Sequence, residues 1–143
     1  MSGLPDGVIL GLDVGTVRTG VARGHTLVGS ASPLVVIDMA AGLQEAVKGL
    51  AESEQAQALV VGLPRNLHSE DTAQTAFVRQ QIDSQLTALG LPLYVVDEAL
   101  TSEKAETELK ARKKPYAKGD IDMLAACYIL EDALLHGGGQ RYA

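Results

Sequence analysis

The chain contains no tryptophan, one phenylalanine and one cysteine among its 143 residues. With aromatics at 3% and apolar residues at 46%, its core must be aliphatic, which suits an α/β protein built on a Val/Ile/Leu-rich sheet. The lone Cys127 excludes a disulfide or cysteine-based zinc framework. It lies within the apolar run Leu124 to Leu130, which predicts a buried, inert thiol. No run of about 18 apolar residues occurs, and the stretch Met1 to Asp6 lacks the basic-then-apolar layout of a signal peptide. A soluble, cytoplasmic protein without a membrane partner is therefore expected. No Gly-x-x-x-x-Gly-Lys-Ser/Thr loop is present, which removes the commonest nucleotide site. His25, His68 and His136 are scattered, with no metal-pair spacing and no adjoining Ser or Cys nucleophile. The length fits one domain, residues 1–143, and is too short for two lobes closing on a ligand.

What is present is concentrated near the start. Val8-Ile-Leu-Gly-Leu-Asp-Val14 places one carboxylate, Asp13, in an otherwise apolar strand. A carboxylate taken from water without a partner costs several kcal/mol, so such a residue calls for a cation, a metal or a donor beside it. Gly15 and Gly20 allow a tight turn or a close phosphate approach, and Thr16 and Arg18 add a hydroxyl and a cation. A plain β-hairpin turn is the reading that requires no chemistry.

The net charge of −6 runs against nucleic-acid binding, which depends on Lys and Arg. Its distribution reverses that impression. Lys110 to Lys118 holds five of the 12 basic residues, Lys110, Arg112, Lys113, Lys114 and Lys118, and no acid. Pro115 and Gly119 mark this run as a loop. A solvated surface loop is the plain alternative, but the run directly precedes Asp120 and Asp122, and a basic flap beside carboxylates suits a phosphodiesterase. Tyr116 within it is placed to stack on a base.

The order of elements predicts a mixed sheet. Residues 8–13, 18–23 and 27–37 read as an antiparallel meander. A helix over 39–53 follows, then a strand over 58–62 and a long amphipathic helix over 69–89 ended by Gly90. Leu93 to Val96 reads as a buried strand delivering Asp97 and Glu98. Thr101 or Ser102 is placed to cap a helix reaching Arg112, and a last helix spans 121–135. The tail 136–143 is expected to fray. This alternation after a meander predicts helices on both faces of an antiparallel-then-parallel sheet.

Sites in α/β sheets form at the carboxyl ends of strands, so Asp13 and Glu98 are expected to meet, with Asp122 arriving from the first turn of the last helix. Oxygen ligands of this kind suit Mg²⁺ or Mn²⁺. Asp120 competes with Asp122, but residues two apart point about 200° away from each other on a helix. Asp120 is expected to serve as N-cap.

The segments Gly11 to Ala22, Val60-Val-Gly-Leu-Pro-Arg-Asn66, Val96-Asp-Glu-Ala-Leu-Thr-Ser102 and Lys118-Gly-Asp-Ile-Asp-Met-Leu-Ala-Ala126 resemble the four motifs of the YqgF/RuvX family. They run in order over essentially the whole chain. The resemblance implies a ribonuclease H-like fold related to the RuvC resolvase. It also implies a nuclease acting on pre-16S ribosomal RNA at a divalent-metal site. Asp13, Glu98 and Asp122 take the family's acidic positions, and Arg18 and Asn66 become candidates for substrate contact. Two departures stand out: Ala99 where the family commonly carries arginine, and Leu67-His-Ser-Glu70 where an acid and a glycine are usual.

Three functional classes follow. The first is a metal-dependent nuclease processing the 5′ end of pre-16S rRNA, with Arg18, Asn66, Arg112, Lys113, Lys114 and Lys118 binding the substrate. The second is a four-way DNA junction resolvase, for which a two-fold homodimer rather than a monomer would be natural. The third is a non-catalytic binder of nucleic acid or phosphate.

Overall fold

The first strands form as an antiparallel meander: β1 (Val8–Val14), β2 (Arg18–His25) and β3 (Ala31–Asp38) pair in succession. The computed structural model describes residues 3–99 and 101–143; Met1, Ser2 and Leu100 of the third motif lie outside the described residues. After helix α1 (Leu43–Glu54), strand β4 (Ala56–Pro64) pairs parallel with β1. Helix α2 (Ala73–Gln81) leads to β5 (Leu93–Glu98), which lies parallel to β4. Helices α3 (Thr101–Ala111) and α4 (Lys118–Leu135) precede a short strand β6 (Gln140–Arg141). The sheet order is β3-β2-β1-β4-β5-β6.

The sheet is covered on both faces, which is why its central strands are buried almost without alternation. On one face Leu43, Val47 and Ala51 of α1, at helical spacing, pack with Val78, Ile82 and Leu86 over Leu10, Leu12, Leu59 and Val61. On the other, Ala126, Ile129, Leu130 and Ala133 of α4 press onto Ile9, Ala58 and Val60. A Cβ built on Gly11 would lie 2.6 Å from Leu130 Cβ, and one on Gly62 would lie 2.5 Å from Ile129 Cδ1. Glycines on two strands, β1 and β4, thus let α4 settle close to the sheet.

Several boundaries differ from the sequence expectation. The third strand begins at Ala31, because Thr26 to Ser30 forms the hairpin tip that leaves Leu27 85% exposed. The helix expected from residue 39 is split by Gly42, whose φ of +98° ends a single turn over Met39–Ala41. The long amphipathic helix starts at Ala73, not Ser69: Ser69 has φ +59°, and Thr72 caps the helix through reciprocal bonds with Thr75. It then widens over Ile82–Leu86 and closes on Gly90 at φ +74°, the expected C-cap.

The expectation of a frayed tail is overturned. Gln140 and Arg141 pair with β5, Tyr142 N–H donates to Leu93 O at 2.7 Å, and Leu93 N–H donates to Ala143 O at 2.8 Å. The exposed edge of β5 has unpaired backbone groups, and the tail satisfies them. Asp120 is not the N-cap either. Helix α4 begins at Lys118 with Ala117 in the cap position, and Asp120 Oδ2 accepts the Ala117 N–H at 2.8 Å from inside the first turn.

Candidate active site

Asp13 sits near the carboxyl end of β1, opposite Gly20 of β2. Glu98 ends β5, one strand beyond β4. Both line a cavity of about 270 Å³, together with Gly62, Pro64, Arg65 and Thr101. The expected meeting of Asp13 and Glu98 therefore occurs across the end of β4. Asp122 approaches from the other side, where α4 passes over β2. A Cβ on Gly20 would lie 2.0 Å from the Asp122 carbonyl oxygen, so this glycine is the seat that allows Asp122 near Asp13.

The electrostatics follow from this crowding. Burial, reinforced by the charge of Asp122, pushes the Asp13 carboxyl up to about 7. Burial also raises Glu98 to about 7, helped by Asp132 of α4, while the Thr101 hydroxyl and Lys104 pull it down. Thr101, expected as a helix cap, instead lies in α3 and donates to Glu98 Oε2 at 3.2 Å. Glu98 Oε1 is buried without a hydrogen-bond partner. Among the described residues, no three Asp, Glu, His or Cys side chains converge tightly enough to enclose an ion by themselves.

The predicted cations separate into different roles. Arg18 Nε donates to Asp122 Oδ2 at 2.7 Å, so it holds an acid in place. Asn66 is turned inward on its own loop: its Oδ1 accepts from the N–H groups of His68 and Glu70, and its amide donates to Glu70. Arg112 pairs with Glu108 one helical turn earlier. Thr16, Lys113, Lys114 and Lys118 are exposed. The basic segment is shorter as a loop than expected, since Lys110 belongs to α3 and Lys118 to α4.

Two residues escaped the sequence reading. Among the described residues, Arg65 is the one cation lining the acidic cavity. Its Nε lies 3.3 Å from both Asp71 Oδ1 and Asp97 Oδ1, and its backbone N–H donates to Glu98 O. Its position beside Pro64 at a strand end was the available signal. Asp132, facing Glu98 from the third turn beyond Asp122, had no local signal at all.

The chain matches the RuvX family, described as "Holliday junction resolvase", over residues 7–136. It belongs to that family. A relative from Chlorobium chlorochromatii (strain CaD3), named "Putative pre-16S rRNA nuclease", is 37% identical over 131 residues, covering 88% of this chain and 93% of its own. One of the same name from Methylobacillus flagellatus is 39% identical over 132 residues, 87% of this chain and 88% of its own. The solved structure of T. thermophilus RuvC in complex with a Holliday junction substrate superposes with a TM-score of 0.57 at 16% identity, covering 94% of this chain and 99% of that one. That likeness establishes a ribonuclease H-like fold. As a RuvX member the chain is a nuclease, a hydrolase acting on ester bonds. Among the described residues, no helix of this RuvX protein is long and apolar enough to cross a membrane.

Proposed function

We propose that this RuvX protein is a divalent-metal-dependent nuclease that trims the 5′ end of precursor 16S ribosomal RNA in the cytoplasm. The observation that carries this reading is the convergence of Asp13 and Glu98 on one cavity, from the ends of β1 and β5 on either side of β4. The name shared by the curated relatives supports RNA as substrate. The donor set suits a hard cation: it is oxygen-only, it includes the unpartnered Glu98 Oε1, and both carboxyls are held near 7 by burial. Asp13 and Glu98 would hold Mg²⁺ or Mn²⁺, with Asp122 beside them and substrate oxygens completing the shell. Bound there, the ion supplies water activation and stabilisation of the leaving oxygen. Arg18 fixes Asp122, Thr101 fixes Glu98, and Arg65 faces the incoming phosphate.

The decisive experiment compares wild type and Asp13→Asn on end-labelled pre-16S RNA and on a four-way DNA junction, each with Mg²⁺ or Mn²⁺. RNA cleavage by wild type alone supports the proposal. Cleavage of the junction alone, by a dimer, supports the resolvase reading that the family description favours. A second arm is independent of cleavage. At pH 8 added Mn²⁺ is expected to raise the melting temperature of wild type and to leave Asp13→Asn unchanged.

Arg65→Gln is expected to raise KM about tenfold, the scale of one lost charge-assisted contact. Its melting temperature should barely move, because the paired Asp71 and Asp97 side chains are 55% and 58% exposed. An unchanged KM would confine Arg65 to bracing its loop. Replacing Lys113 and Lys114 with alanine is expected to weaken RNA binding and lower the slope of log affinity against log salt by about 1.5. An unaltered slope would return the loop to solvent.

A further inference from the structure

A second cavity, of about 580 Å³ against about 270 Å³ beside Asp13, runs along α4 from Asp120 to Glu131. Asp120 lines it, while Asp122, two residues on, turns toward Asp13. Helix α4 contributes to both sites, Ile129 to the one beside Asp13 and Asp120 to this one. Its apolar lining comes from Pro33 of β3, Leu109 of α3 and Leu124 of α4. Its rim carries Lys114 and Tyr116 from the basic loop, so a nucleic-acid backbone entering here meets positive charge and an aromatic face.

Two carboxylates, Glu108 and Glu131, line it and offer acceptors to hydrogen-bond donors. Tyr128 Oη donates to Glu108 Oε1 at 2.6 Å, and Arg112 donates to Glu108 Oε2. These bonds hold the Glu108 carboxyl below its ordinary range, chiefly through Tyr128. Glu131 also lines the cavity, with Oε2 accepting the Ala31 N–H at 3.1 Å. Carboxylate oxygens fixed in this way accept from exocyclic amino groups, whereas uracil offers carbonyls at the corresponding positions. None of this arrangement takes part in the chemistry at Asp13.

We propose that this cavity seats an unpaired, amino-bearing nucleobase of the strand whose phosphate lies at Asp13. The proposal rests on the nuclease reading for its source of ligand, and on the cavity alone for its base preference.

The test uses full-length Asp13→Asn protein, which holds RNA intact, and fluorescein-labelled decamers of cytidine and of uridine read by anisotropy. Oligocytidine is expected to bind about fivefold tighter or more, the low end of one base-specific contact. Pro33→Trp, which fills the mouth from an exposed edge strand, should weaken oligocytidine to the level of oligouridine and leave the latter unchanged. Leu124→Phe, filling from the wall, should do the same. Equal affinity for the two decamers, or a preference that survives both substitutions, overturns the proposal. Cytidine monophosphate, followed through the Met123 methyl resonance, separates this inference from the nuclease reading. A cytidine-specific shift in a protein that cuts no RNA retains the base site and removes the nuclease. Cleavage without any such shift does the reverse.

Discussion

The Asp13→Asn protein is expected to bind RNA without cutting it and, at pH 8 without added metal, to melt at a higher temperature than wild type. The unfolded chain ionises this carboxyl at its ordinary 3.8, while the folded state holds it up to about 7. The native state therefore binds the additional proton. That contribution to stability is complete below about pH 4 and is lost as pH rises through 7. The gap between 3.8 and about 7 corresponds to roughly 4 kcal/mol at most. Glu98, raised from 4.5 to about 7, acts in the same direction. Wild-type stability should accordingly fall between pH 4 and pH 8, and Asp13→Asn should flatten that fall without abolishing it, because Glu98 remains. Thermal melts of both proteins over this range check the expectation. An asparagine variant that fails to fold would assign Asp13 to structure, and one that still cuts RNA would remove it from the chemistry.

The second large effect is expected at a residue with no side chain. Gly20→Ala would place a Cβ 2.0 Å from the carbonyl oxygen of Asp122, 2.2 Å from its carbonyl carbon and 2.7 Å from the Met123 nitrogen. All three are backbone atoms, so no rotamer relieves the clash and the N-terminal part of α4 must lift. Overpacking of this kind costs about 1–3 kcal/mol or more, a drop of roughly 5–10 °C in Tm for a domain of this size. Activity should fall further than stability, because the same movement carries Asp122 away from Asp13 and from Arg18. Gly49→Ala is the control. It lies within α1 with nothing within 4 Å of a built Cβ, and should stabilise by about 0.5–1 kcal/mol. A Gly20→Ala protein with wild-type stability and activity would show that α4 does not depend on this seat.

Legibility from the sequence varied with the range of the interaction involved. The strands around Asp13 and Glu98 could be read because an apolar run ending in an acid is a local pattern. The C-cap at Gly90 could be read because a helix ending on glycine reflects backbone sterics. The N-terminal boundary of α4 could not, since Ala117 carries no capping group and the helix is held by Asp120 from within. The tail could not either: three glycines at positive φ look like the end of order, and what orders the segment is the unpaired edge of β5.

By itself the sequence determined the order of strands and helices as far as α4, the aliphatic core and the acids at strand ends, because periodicity and turn chemistry act over a few residues. Only the tertiary structure decided which acids share a cavity. Arg18 and Asp122 are 104 residues apart in the chain, and their contact depends on α4 lying close over Gly20. The approach of Asp132 to Glu98, the entry of Arg65 into the cavity and the second cavity beside the basic loop depend likewise on helices packed against distant strands. No local pattern encodes such contacts, because they exist only after the sheet has closed and the chain entropy opposing them has been overcome by burial.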